Sequence, residues 1–347
     1  MPDVAALAGQ LHLRLTWSEG RVRKVEVDLR RPLAGLGQLW LGRQPAEVVS
    51  LLPLVFSACS LAQQLAGVEA LEAASGWRAD PRLSHWRRQA VRLEALREGL
   101  MVLRPFWQPA LSDKPLYDLL QSCQKTLNAL QPLMFFQAEF PQALPGLPEA
   151  LTDFSRQIWP RWVETAFPVS QQWPDVSLAL AACNPLDEED LPGLLDQLRR
   201  GDTRPALAGH PRTTGPAGAS LAGESRQLLR ERHQGLLDQV SRFLEELTQH
   251  PPRIEEEVIL PWAAEGEGWS RVITVRGWLI HRVVLRQGRV ASYQLLAPTD
   301  WNLHPQGLLY QQLNNLLIDR EILLPLANAL VASSFPCVEA RVDMDDA

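Results

Sequence analysis

Cysteine offers this chain its most specific chemistry, and Cys59 stands where that chemistry could be used. In Ser57-Ala58-Cys59-Ser60-Leu61-Ala62-Gln63, Ser60 and Gln63 lie three apart, just ahead of apolar Leu65, Val68 and Leu71. That is a capping-box spacing, and it predicts a helix starting directly after Cys59. A thiol at a helix start meets unpaired backbone N–H groups, whose partial positive charge favours the thiolate. The blander reading is a small buried hydrophobe, the usual fate of a lone cysteine in an apolar segment, and the local pattern alone favours it. Cys123, Cys183 and Cys337 lie far from Cys59 and from each other. Such spacing does not describe a secreted disulfide framework.

Other chemistries lack their minimum parts. The sequence has no C-x-x-C, no H-E-x-x-H, no G-x-S-x-G and no P-loop, so zinc, serine and nucleotide hydrolysis are not supported. The seven histidines do not cluster. The acidic runs Asp187-Glu188-Glu189-Asp190 and Glu255-Glu256-Glu257 read as solvated faces or helix starts rather than metal sites. A formal charge of -6 with no basic run argues against nucleic acid and anionic membranes as partners. No stretch approaches the roughly 18 uninterrupted apolar residues of a membrane span, and Met1 to Ala6 has no leader pattern, so a cytoplasmic protein is expected.

The elements that must position Cys59 follow from periodicity. Leu11 to Trp17 and Val22 to Leu29 alternate around Ser18-Glu19-Gly20 and predict a β-hairpin. Pro53 is expected to separate an earlier helical turn, starting near Pro45, from the Cys59 helix, which Gly76 should stop. Helical spacing predicts further helices over Asp80 to Leu103, Lys114 to Leu130, Pro148 to Phe167 and Ser225 to Gln249. Between Gly201 and Gly223 the composition thins to Gly, Pro, Ala, Thr and Ser, which predicts an exposed, mobile linker between parts 1–200 and 224–347 of one domain. A second hairpin is expected from Trp278 to Leu285 and Arg289 to Leu296. A loop through Ala297 to Pro305, a helix over Leu309 to Val331 and a short polar tail should follow. With 46% hydrophobic residues and twelve tryptophans, the chain can bury a sizeable core.

Several short motifs then fall in a telling order: Arg31-Pro32-Leu33, Gly42-Arg43-Gln44-Pro45, Cys59, Arg276-Gly277, Pro298-Thr299-Asp300-Trp301-Asn302 and Ser334-Phe335-Pro336-Cys337. Together they resemble the large subunit of nickel-iron hydrogenases. That family runs through R-G-(L/F)-E, a G-R-x-P helix start, C-x-x-C-x-x-x-H, P-R-G, P-(S/T)-x-W-N and D-P-C-x-x-C. The resemblance covers both ends of the chain, about half its residues. It implies a mainly helical α+β fold, a shortened large-subunit-like fold with small antiparallel β-hairpins near both ends.

The departures from the family carry the functional expectation. The family's first N-terminal cysteine falls on Phe56, its histidine on Gln63, and its last cysteine on Ala340. Its R-I-E-G-H-L reads Leu7-Ala8-Gly9-Gln10-Leu11, with Ala8 in place of the proton-transfer glutamate. The resemblance thus implies loss of the nickel site and of a general acid/base, with Cys59 and Cys337 left as two thiolates for iron. Arg276 and Thr299, the latter following Pro298, match the positions that surround the iron's cyanides. The pattern is similar to hydrogenase accessory proteins of the HupK/HoxV type. They imply a non-catalytic scaffold that transiently carries iron with cyanide and carbonyl ligands, and no nickel. The implied partners are an iron-fragment assembly complex of the HypC/HypD type and the immature hydrogenase large subunit. A thiol redox protein or docking chaperone without iron, and a divergent catalytic subunit, remain the alternatives. Cys123 and Cys183 match no motif and are expected to be packing residues.

Overall fold

The computed structural model describes residues 9–30, 33–56, 58–104, 114–143, 146–165, 175–202, 206–207, 209–248 and 265–346. Arg31, Pro32, Ser57 and Ala8 lie outside them. Alternation of apolar residues builds β1 (Gln10–Ser18) and β2 (Arg21–Arg30), whose antiparallel pairing turns at Glu19 and Gly20, both with positive φ. That is the twist a tight hairpin requires. Leu11, Leu13, Leu15, Val25, Val27 and Leu29 face one core.

Helices α1 (Leu33–Trp40), α2 (Pro45–Val55), α3 (Ser60–Ala74), α4 (Pro81–Leu103) and α5 (Lys114–Leu130) follow. α2 runs through Pro53, so the expected break there is corrected; the chain leaves helical geometry at Phe56. α3 is buried on nearly all sides, from Leu61 to Leu71, as expected of a helix whose apolar residues do not confine themselves to one stripe. It ends at Gly76 as the sequence predicts: Trp77 N–H donates to the Glu72 carbonyl (3.0 Å) and Gly76 N–H to that of Ala73 (3.1 Å). Glu72, on the same helix, meets Arg87 of α4 in a buried two-pronged pair at 2.7 and 3.0 Å.

The expected helix over Pro148 to Phe167 runs continuously from α6 (Ala150–Asp153) through a widened turn at Phe154–Ile158 into α7 (Trp159–Thr165), and Phe167 lies outside the described residues. A two-residue ladder joins β3 (Ser177–Leu178) to β4 (Gly223–Glu224), with α8 (Leu191–Arg199) between them in sequence and α9 (Ser225–Thr248) after them. The stretch 201–223, expected to be an exposed linker, is exposed at Gly201, Asp202, Gly209 and His210 but packed over its second half, where Thr213, Thr214 and Ala217 are buried. Its small residues serve close approach, since a Cβ on Gly215 would lie 2.3 Å from the Arg276 carbonyl oxygen.

Three antiparallel strands, β5 (Glu267–Thr274), β6 (Gly277–Arg286) and β7 (Arg289–Leu296), form a second sheet, so the expected hairpin has an extra strand before it. α3 lies on this sheet so closely that a Cβ on Gly268 would come 1.9 Å from the Ala70 carbonyl oxygen. The loop after β7 contains α10 (Pro298–Asn302), and the expected last helix is divided into α11 (Leu308–Leu313) and α12 (Arg320–Ala332). The tail is a strand, β8 (Glu339–Asp346), which pairs in parallel with β1 from Gln10↔Glu339 onward. The two ends of the chain are thereby joined. No helix among the described residues is long and apolar enough to cross a membrane.

Candidate functional site

Cys59 is the N-cap of α3 and holds a left-handed conformation (φ 52°, ψ 38°). The expected capping box does not form. The Glu94 carboxylate, from α4, instead accepts from Leu61 N–H (2.8 Å), Ala62 N–H (2.9 Å) and the Ser60 hydroxyl (3.2 Å). One turn along α4, Glu98 accepts from Cys59 N–H (2.6 Å) and from the Cys59 thiol (3.1 Å). Two carboxylates thus answer the positive end of the helix. Burial pushes the Cys59 thiol well above its ordinary pKa, more than the adjacent Arg276 charge lowers it. The thiolate expected from position alone is corrected to a protonated thiol that donates to Glu98.

Arg276 sits in the turn between β5 and β6, where its N–H donates to Thr274 Oγ1 (3.1 Å). Its buried guanidinium makes three contacts: Nε donates to the Phe335 carbonyl (3.1 Å), Nη1 to Cys59 Sγ (3.1 Å), and Nη1 also to Glu98 in an ion pair. Burial pushes the Glu98 carboxyl up, but Arg276 and the Cys59 donors outweigh it and hold the group below its usual range.

Cys337 approaches from the other end of the chain. α10 begins at Pro298 and is capped by Asp300, which accepts from Ala297 N–H at 2.8 Å. This presents Thr299 Oγ1 at 2.8 Å from Cys337 Sγ. Asn302 clasps Thr214 by both its N–H (2.9 Å) and its carbonyl (3.1 Å), which ties the packed 213–219 stretch to the back of α10. Cys337 is half-buried, and β8 starts two residues beyond it.

These pieces enclose a cavity of about 30 Å³ lined by Cys59, Cys337, Arg276, Thr299, Pro298 and Gln63, with Phe56 also in its wall. All five residues singled out from sequence, drawn from distant segments, border that one space. It is large enough for a water and little more. Among the described residues no three His, Cys, Asp or Glu side chains converge as a metal-binding group, so the soft donors at the cavity are the two sulfurs. Cys123 and Cys183 lie elsewhere, in α5 and beside α11; burial pushes their thiols up to about 12 and about 11.

Sequence reasoning did not find Glu94, Glu98, His281 or Tyr293. Glu94 and Glu98 continue an i, i+4 row from buried Ala90, and a carboxylate on such a row was the available signal. His281 gave none. It lies fully buried on β6, hydrogen-bonded to Gln63 Oε1 (2.9 Å) and Tyr293 Oη (2.8 Å), and burial lowers its pKa to about 3.

No family model matches the sequence. In fold, the chain is similar to the nickel-iron-selenium hydrogenase of Desulfovibrio vulgaris Hildenborough in its as-isolated oxidized state, with a TM-score of 0.55 at 16% identity over 93% of this chain and 94% of that one. The reduced, active enzyme of Desulfomicrobium baculatum gives 0.54 at 15% identity over 93% and 95%. Identities this low speak to fold alone, and the fold is that of a shortened nickel-iron hydrogenase large subunit, α+β and mainly helical. Sequence relatives narrow the class. The chain is 36% identical to the hydrogenase expression/formation protein HupV of Azotobacter chroococcum mcd 1, over 97% of this chain and 98% of the relative. It is 34% identical to HupK of Azotobacter vinelandii over the same shares. The chain belongs to the HupV/HupK family of hydrogenase expression/formation proteins.

Proposed function

We propose that this protein is a non-catalytic scaffold of hydrogenase formation, which transiently holds iron bearing cyanide and carbonyl ligands through the Cys59 and Cys337 thiolates. Arg276 and Thr299, beside Pro298, donate to the diatomic ligands, and no nickel is bound. One observation carries the reading: two thiols, a guanidinium and a hydroxyl from separate segments border one cavity. Thiolates suit a low-spin iron fragment, and a planar guanidinium gives charge-assisted donors to bound cyanide. Loading breaks two S–H bonds, forms two S–Fe bonds and releases two protons. The 30 Å³ cavity must widen, so the Arg276–Glu98 and Thr299–Cys337 contacts are the ones that give way to cargo.

Holding iron by two thiolates favours release, because a site with more thiolates outcompetes it by ligand exchange. The partners of this cytoplasmic step are the complex that builds the iron fragment, of the HypC/HypD type, and the immature hydrogenase large subunit. The test is infrared spectroscopy of protein purified anaerobically with those partners. Cyanide and carbonyl stretching bands are expected, lost in Cys59→Ala and Cys337→Ala and weakened in Arg276→Lys. Bands absent from the wild type would leave a docking chaperone or a dithiol redox protein, and full hydrogenase maturation in cells carrying the double cysteine variant would leave the docking chaperone alone.

A further inference from the structure

We infer that Gln63 is a further donor to the cargo's diatomic ligands, aimed into the cavity by a buried relay that runs from Tyr293 through His281. The inference rests on the iron-carrier reading above and adds a residue to it. Gln63 stands where the resemblance would put the family's histidine, so the sequence marks it only as a loss. The structure gives it a place: it is 4% exposed, borders the cavity, and has its Oε1 2.9 Å from His281 Nε2.

The direction of the relay follows from counting hydrogens. Tyr293 is buried, and its hydroxyl has one partner among the described residues, His281 Nδ1 at 2.8 Å. If Nδ1 carried the imidazole proton, the phenol hydrogen would be left in the core without an acceptor, a costly arrangement. The phenol therefore donates to Nδ1, and Nε2–H donates to the Gln63 carbonyl oxygen. The Gln63 amide nitrogen is then the group turned away from His281, and it has no partner among the described residues. Of the other polar groups at the cavity, Arg276 is itself a donor, the Thr274 hydroxyl donates to the Gly277 carbonyl and accepts from Arg276 N–H, and Thr299 is engaged with Cys337. The acceptor that Gln63 lacks arrives with the cargo: a terminal lone pair on a cyanide or carbonyl bound to iron.

Packing fixes the relay. Gly67 lies one turn after Gln63 on α3, and a Cβ there would stand 2.8 Å from the Tyr293 hydroxyl and 2.3 Å from a Leu52 methyl. Trp40 covers the phenol ring at 6.2 Å between centroids. The absence of a side chain at Gly67 leaves the room that the Tyr293 hydroxyl occupies.

Two measurements test the inference. In iron-loaded protein, Gln63→Met keeps length and removes the donor; a shifted cyanide or carbonyl band and about tenfold faster loss of cargo are expected, the worth of one hydrogen bond. Tyr293→Phe should move the same band in the same direction by less. Bands in Gln63→Met that coincide with wild type overturn the inference while the carrier reading stands, whereas no bands in wild type overturn the carrier reading itself. The second measurement needs no iron: nitrogen-15 NMR of the histidine rings in the unloaded full chain should show His281 as the Nε2–H tautomer. An Nδ1–H tautomer would make Gln63 the donor to His281 and overturn the relay.

Discussion

Glu98 supplies the sharpest test of how the cavity is held together. In Glu98→Ala, the Arg276 guanidinium, whose side chain is 9% exposed, keeps only the Phe335 carbonyl and a neutral thiol as partners. Cys59 N–H also loses its 2.6 Å acceptor. Stranding one member of a buried ion pair costs about 3–5 kcal/mol, and an orphaned backbone N–H accounts for about 1–3 kcal/mol of that. The variant should therefore lose about 4 kcal/mol, a large part of the roughly 5–15 kcal/mol of a folded protein. Glu98→Gln keeps an acceptor for Cys59 N–H without the charge and should lose about half as much. Combining Glu98→Ala with Arg276→Met removes the stranded charge, so the double variant should be more stable than Glu98→Ala alone by at least about 1 kcal/mol. Urea unfolding at pH 7, read as midpoint shifts at constant slope, measures all three. A loss under about 1 kcal/mol in Glu98→Ala, or further destabilisation on adding Arg276→Met, would refute the charge balance described for this site.

Acid should destabilise the protein through its two buried histidines, against a smaller opposite contribution from Glu94, whose carboxyl burial and the neighbouring Glu98 push up to about 7 so that the folded chain takes that proton first. Burial lowers His281 to about 3 and His233 to about 4, so between these values and 6.5 only the unfolded chain binds those protons. Each histidine should remove about 2 kcal/mol between neutral pH and pH 5, and a flat stability curve over that range would contradict their burial as neutral rings. Gly268→Ala must push α3 off β5, because the added Cβ would meet the Ala70 carbonyl oxygen at 1.9 Å; a loss of about 3 kcal/mol is expected, and an unchanged melting temperature would deny the close approach. Ending the chain after Val338 removes β8 from β1, and alkylation of Cys337 should accelerate at least several-fold; an unchanged rate would show that the strand does not anchor the cysteine.

Local signals survived into the structure where local physics decides the outcome. Alternation gave both hairpins, Gly76 ended α3, and the spacing around Pro298 and Cys337 named residues that share one cavity. What stayed hidden depends on partners far along the chain. The cap of α3 comes from Glu94, so Ser60 and Gln63 were correct residue types for a box that a stronger, buried acceptor displaced. Left-handed backbone at Cys59 and Phe335 is set by the same long-range contacts, since neither residue favours it. Asn315, left-handed at φ 60°, divides the expected last helix, an option asparagine tolerates and periodicity does not reveal. The 201–223 stretch misled because the small residues that suit a mobile linker also suit a backbone pressed against Arg276. β8 misled because its Glu339, Arg341, Asp343 and Asp345 read as a solvated tail, whereas on an edge strand those charges face water while His12 meets Asp343 at 2.7 Å.

The groups that are proposed to hold the cargo are also the groups that close the cavity on one another, and on that reading this sets the character of the binding. Arg276 is engaged with Glu98 and Cys59, Thr299 with Cys337, and the Cys59 thiol keeps its proton because burial disfavours the anion. Each donor that turns to cyanide first gives up an internal contact of similar strength, and each thiol gives up a proton. The net affinity is therefore the difference between two sets of comparable bonds and falls well below the sum of the iron–ligand contacts. Gln63 stands apart, because its amide nitrogen has no bond to surrender among the described residues, while its oxygen keeps His281. On the proposed carrier reading such a site would discriminate by geometry: an ion without diatomic ligands would offer Arg276 and Gln63 no acceptor, and the site would lose less by staying closed.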